Sequence, residues 1–167
     1  IAAAWWRAGP RDFLPLWNDE VVYWNEAAVF LRAGFDGGYV TVNERPAAAA
    51  FSRFGPHGPA FAAMFGTFGR IAGWRPYSPY LVNLALVTFC LGVWLRVAGR
   101  RGGAGARALL ALTFWPLLIY LPTSMQEPLH FGLAFLFAAV SEAEISPRRR
   151  AAAWTLLLVV ACLTRPT

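Results

Sequence analysis

From residue 60 onward the chain is a succession of apolar runs, and these constrain everything else about it. Residues 80–97, 108–121, 129–140 and 151–163 are nearly free of charge. Short polar breaks separate them: a Gly-rich loop with Arg100, Arg101 and Arg107, the stretch Pro122 to Pro128, and a loop with Glu142, Glu144 and Arg148-Arg149-Arg150. Lipid offers no hydrogen-bond partner to an open backbone, so apolar runs of this kind cross a membrane as helices, ideally with about 20 residues each. The pattern predicts an all-α fold, a polytopic transmembrane helical bundle with spans over 80–97, 108–121, 129–140 and 151–163. Pro116 marks a kink in the second.

The composition agrees. Hydrophobic residues make up 57% and charged residues 14%, against about 25% charged in an ordinary soluble domain. The net charge of +6 raises the question of nucleic acid. All 15 basic residues are Arg, however, and they gather in the short breaks, which is the distribution of positive-inside topology. Membrane lipids are therefore the expected partner and nucleic acid is not. Cys90 and Cys162 lie within apolar runs and lack metal-ligand spacing. The chain opens on Ile, and residues 1–8 read as the end of a preceding helix; a piece of a longer polytopic protein is expected.

The loops at 100–107 and 148–150 are separated by two spans and so lie on one side, which is cytoplasmic by charge. The 122–128 loop is then extracytoplasmic. Residues 60–74 are short, Gly-rich and carry Arg70, which favours a helix in the interface over a short span. On that reading residues 9–59 form an extracytoplasmic loop that shares a compartment with Glu127.

That loop holds a dense acidic stretch. Asp19, Glu20 and Glu26, three of the nine acidic residues, fall within Trp17 to Glu26. Burying an unpaired carboxylate is costly, so such a cluster beside membrane segments points to a site. A helix is expected over about 20–32, with Asp19 suited to its N-cap and Gly34 to its C-terminal stop. Asp19, Tyr23, Glu26 and Phe30 recur at helical spacing on one face. Tyr39 to Glu44 alternates as a short extended segment does.

The ordered set Asn18-Asp19-Glu20, Tyr23, Glu26, Gly37 to Glu44 and Gly55-Pro56-His57-Gly58-Pro59 resembles the first extracytoplasmic loop of the C-type membrane glycosyltransferases. The likeness is to the polyprenyl- and dolichyl-phosphate-sugar group, which includes protein O-mannosyltransferases and the aminoarabinose transferases of lipid A. Ser124-Met125-Gln126-Glu127 is similar to the acidic second outer loop of that fold, and Leu163-Thr164-Arg165-Pro166 to a later motif. The Pro-His-Gly-Pro here differs from the Pro-Pro of some members.

The resemblance implies a multi-pass membrane enzyme of the cell envelope. It would move a sugar from a lipid-linked donor to an extracytoplasmic glycan, lipid or protein acceptor by direct, inverting displacement. Asp19 would be the general base and Glu20 its companion. Tyr23, His57, Glu127 and Arg165 would contact substrate, Arg165 at the phosphate. No cofactor is required; a divalent cation on Asp19 and Glu127 is possible, although the sequence has no dedicated ligand cluster. Bland roles stand beside these. Asp19 and Glu20 suit a helix N-terminus on electrostatic grounds alone, and Glu127 could close a capping box with Ser124. That box would put Pro128 fourth in the helix, where an N–H is needed. The rival functions are a transporter or flippase gated by these carboxylates, and a non-catalytic scaffold of the same fold.

Overall fold

The computed structural model describes residues 9–12, 14–15, 18–44, 47–53, 58–99 and 102–164. His57, Arg165 and Trp17 lie outside them, as do Arg100 and Arg101. The described chain is predominantly helical. In order come α1 (Asn18–Ala33), β1 (Tyr39–Glu44), β2 (Ala47–Ser52), α2 (Pro59–Ala72), α3 (Ser78–Gly99), α4 (Ala104–Thr113), α5 (Trp115–Tyr120), α6 (Glu127–Glu142) and α7 (Pro147–Thr164). A short 3-10 turn, Gly34–Gly37, links α1 to β1.

One antiparallel pair, β1–β2, in register from Tyr39 opposite Ser52 to Glu44 opposite Ala47, is a local departure from the all-α character of the described residues. The extended character of 39–44 was legible in its alternation. Its partner was not, because four consecutive alanines favour a helix on propensity. Strand pairing with β1 overrides that preference. Gly38 opens the hairpin at φ +64° with the Phe51 ring against it, a conformation that suits glycine.

α1 begins at Asn18, two residues before the expected start, so Asp19 lies inside the first turn rather than at the cap. It ends at Ala33, and Gly34 turns the chain at φ +60°, as its position suggested. α2 packs along α1. The core between them holds Tyr23, Ala27, Phe61 and Phe65, joined by Val82 of α3. Phe61 and Phe65 stack at 4.1 Å, and Tyr23 tilts onto Phe61 at 5.3 Å. Burying each phenyl ring is worth about 1.5–3 kcal/mol, so this contact is the main bond between the two helices. Gly66 lets them approach, since a Cβ there would meet Phe30 Cδ1 at 2.6 Å and the Ala27 carbonyl oxygen at 3.0 Å. Arg70 seals the far end, donating from Nε to Leu31 O and from Nη2 to Phe30 O, two carbonyls of the last turns of α1.

α2 has 14 residues and is about 21 Å long, shorter than the roughly 30 Å hydrocarbon core. α3, with 22 residues, is the one helix among the described residues long and apolar enough to cross a membrane. The 108–121 run is not one helix. It divides at Phe114, which is extended, and restarts as α5 with Pro116 in its first turn. Pro lacks the N–H that a continuous helix would use there. Thr113 Oγ1 donates to Leu109 O and Leu110 O and satisfies part of the broken end. The break thus falls beside the expected kink.

α3 and α6 run parallel. Asn83 meets the chain just ahead of α6, Cys90 approaches Gly132, and Trp94 stacks on Phe135 at 5.6 Å and donates to Glu142 Oε1. α4 and α5 make the return between them. Arg107 pairs with Glu142 at 3.1 Å, and Arg150 donates to Ala143 O. Arg107 and Arg150 are therefore both at the C-terminal end of α6. The outward faces are apolar: Leu84 and Phe89 on α3, Leu109 and Leu110 on α4, Trp115 and Ile119 on α5, and Leu156 and Val159 on α7 are all exposed.

Candidate functional site

The acidic turn of α1 and the loop before α6 meet. Glu20 is 4% exposed, and its Oε1 accepts a hydrogen bond of 2.9 Å from the backbone N–H of Ser124, 104 residues away. A carboxylate acceptor strengthens such a bond. Met125 of the same loop packs against the α1–α2 core. From the other side Asn83, fully buried, donates through Nδ2 to Leu121 O at 3.2 Å and Thr123 O at 2.7 Å. The 121–126 loop is thus held between α1 and α3, at the N-terminal ends of α3 and α6 and away from Arg107 and Arg150.

These contacts give the two adjacent carboxylates different surroundings. Glu20 is committed to the loop. Asp19, one residue earlier, turns outward and is exposed. Tyr23 is 5% exposed, in the core against Phe61. Glu127 opens α6 with Pro128 second in the helix, not fourth, so the capping box is not formed. Ser124 gives its N–H to Glu20 instead. The Glu127 Oε2 atom is buried with no hydrogen-bond partner among the described residues. His130, one turn further along α6, places Nδ1 at 3.1 Å from Gln126 O. The spacing of Glu127 and His130, three apart on a helix, was the available signal for it.

Glu26 is the second finding. It is 6% exposed and its Oε1 lacks a hydrogen-bond partner among the described residues. Burial pushes its carboxyl up from the ordinary 4.5 to about 7. It lines a narrow cleft with Val29, Phe30, Phe35, Arg53 and Ala62, where there is room for about one water molecule. Asp19, Tyr23, Glu26 and Phe30 were expected to share a face. The structure turns that face so that Asp19 is at its exposed rim and Tyr23 and Glu26 are inside.

Among the described residues no three His, Cys, Asp or Glu side chains gather as metal ligands, so Asp19 and Glu127 do not find a third such donor there. Neither a protein-family model, nor a curated protein, nor a solved structure matches the chain.

Proposed function

We propose that this chain is a membrane-embedded part of a glycosyltransferase that uses a polyprenyl-phosphate sugar, with its reaction centre at the Asp19–Glu127 end of the helices. The carrying observation is the buried Glu20–Ser124 bond, which joins the acidic turn of α1 to the loop of Glu127 at one end of an apolar-sided set of helices. The apolar outward faces of α3, α4, α5 and α7 support a polytopic membrane placement, since a soluble surface rarely leaves so much apolar area contiguous. The opposite placement of Arg107 and Arg150 supports an extracytoplasmic site. α2, too short to span, lies along the interface beneath α1.

In the reaction Asp19 takes the proton of an acceptor hydroxyl, and the acceptor oxygen bonds to the anomeric carbon from the face opposite the phosphate. The bond from that carbon to the phosphate oxygen breaks, and the lipid phosphate leaves with the electron pair. A positioned carboxylate base contributes roughly 10²–10⁴-fold. Glu20 positions the 121–126 loop rather than moving a proton. Glu127 faces substrate, and His57 and Arg165 complete the set.

Replacing Asp19 by Asn in the full-length protein tests this. Transfer of labelled sugar from polyprenyl phosphate in membranes should fall at least a hundredfold, with the protein still folded in the membrane. Undiminished transfer would remove Asp19 from the mechanism. Single cysteines at 19 and 127 should both react with an impermeant reagent from outside; labelling from opposite sides would sink the shared site. One observation favours a second reading. Glu26, 6% exposed, with an oxygen that has no partner among the described residues and its carboxyl pushed up by burial to about 7, suits a proton-coupled transporter. Loss of proton-driven uptake in Glu26→Gln with Asp19→Asn silent would select it.

A further inference from the structure

A second polar feature lies at the corner between α2 and α3, away from the acidic site. A cleft of about 310 Å³ is lined by Phe68 and Ala72 of α2, by Arg75 and Tyr77 of the turn, and by Ser78 and Leu81 of α3. That volume is within the range of small-ligand sites. The backbone beneath it is fastened in place. Trp24 Nε1 donates to Arg75 O, Trp74 Nε1 donates to Trp24 O, and the two indoles stack at 6.0 Å. Ser78 Oγ accepts from Arg75 N–H at 2.8 Å. The side chain of Arg75 is by contrast exposed and only touches the Tyr77 hydroxyl, at 3.3 Å. Among the described residues it has no carboxylate partner, whereas nearby Arg70 is spent on carbonyls of α1.

The cleft continues onto exposed apolar side chains. Leu81, Leu84 and Phe89 are exposed on α3; around the helix Leu81 lies between the other two, which are about 140° apart on its outward half. Val82, Asn83, Val87 and Cys90 are buried on the other face, toward α2 and α6. A cation and a hydroxyl at the head of exposed apolar side chains, at the start of the one helix among the described residues long enough to span, match an amphiphile with a phosphate head and hydrocarbon tail. Two stacked tryptophans and two tyrosines, Tyr77 and Tyr80, stand at the same level, as interfacial aromatics do. Because Leu81, Leu84 and Phe89 face away from Asn83 and the 121–126 loop, a head group in this cleft is turned from Asp19 and Glu127.

We infer that the α2–α3 corner is a binding site for an anionic bilayer phospholipid, its phosphate on Arg75 and Tyr77 and its acyl chain along Leu81, Leu84 and Phe89. The inference rests on the membrane placement proposed above but not on sugar transfer. The site fixes the depth of α2 and the tilt of α3 at the interface.

The test uses the full-length protein in nanodiscs containing equal phosphatidylglycerol and phosphatidylcholine, one of them in turn carrying a photoreactive head group. Phosphatidylglycerol should label residues 68–81 about fivefold more than phosphatidylcholine, the preference expected of one basic residue at an anionic surface. Arg75→Gln should remove that preference, and Asp19→Asn should leave it intact. Equal labelling by the two lipids in the native chain, or label located outside 68–81, would overturn the assignment without recourse to any variant. So would a folded Arg75→Gln that keeps the preference. Displacement of phosphatidylglycerol by equimolar polyprenyl phosphate would also overturn it, and would make the cleft a donor site. No sugar transfer by the native protein in the same nanodiscs, with labelling persisting, would count against the enzyme reading alone.

Discussion

Glu26 offers the sharpest test of how α1 is packed, and Glu26→Gln is the perturbation. The carboxyl is 6% exposed, with an oxygen that has no partner among the described residues. Glutamine keeps the shape and cannot ionise. Burial moves the carboxyl from 4.5 in an open chain to about 7 in the fold, a difference worth about 3 kcal/mol in favour of the neutral form. Water admitted to the cleft with Arg53 returns part of this, leaving about 2–3 kcal/mol. The sign follows from proton binding. Between pH 4.5 and 7 the folded chain holds a proton that the unfolded chain has released, so stability falls as pH rises through that window. Below 4.5 there is no penalty; above about 7 it is complete. Thermal unfolding in mild detergent from pH 4 to 8.5 should show a midpoint that drops by several degrees in the native protein. It should hold steady, as far as this group contributes, in Glu26→Gln. The variant should match the native protein at pH 4 and exceed it at pH 8. A variant less stable than the native chain at pH 8, or one with the same slope, would mean that the ionised carboxylate has a partner and that the burial argument is wrong.

Two further outcomes follow from the packing. Gly66→Ala should destabilise by about 1–3 kcal/mol, because the new methyl is driven into Phe30 and the Ala27 carbonyl. Gly92→Ala, with nothing within 4 Å, should be neutral or gain up to about 1 kcal/mol, and equal unfolding midpoints for the two would refute the close approach of α1 and α2. Asn83→Ala should cost about 1–3 kcal/mol by leaving the Leu121 and Thr123 carbonyls without their donor. Limited proteolysis should then cut within 121–126, and an uncut loop would show that Glu20 holds it alone.

Much of the scaffold was legible in the sequence, for a local reason. Apolar runs with Gly and Pro at their ends report helices directly, and α3, α6 and α7 fall within a few residues of the runs that announced them. The stop at Gly34 and the extended stretch 39–44 were readable in the same way. β2 was hidden because alanine carries no strand signal. The division at Phe114 was hidden because Pro116 marks a disturbance without saying whether the helix bends or restarts.

The site was legible only as a list of residue types. An acidic cluster, Glu127 and the apolar runs could be named from residue identity, since charge and hydropathy belong to single residues and their near neighbours. Which carboxylate does what could not. Asp19 and Glu20 are adjacent carboxylates, and only the family resemblance favoured Asp19 as the base. The fold alone separates them, because a contact with Ser124, 104 residues away, decides that one is buried and hydrogen-bonded and the other faces out. The same holds for Glu26, whose proton affinity is set by burial beside other elements, Ala62 of α2 among them. Burial is a property of what packs on a residue, and here that comes from other elements of the chain.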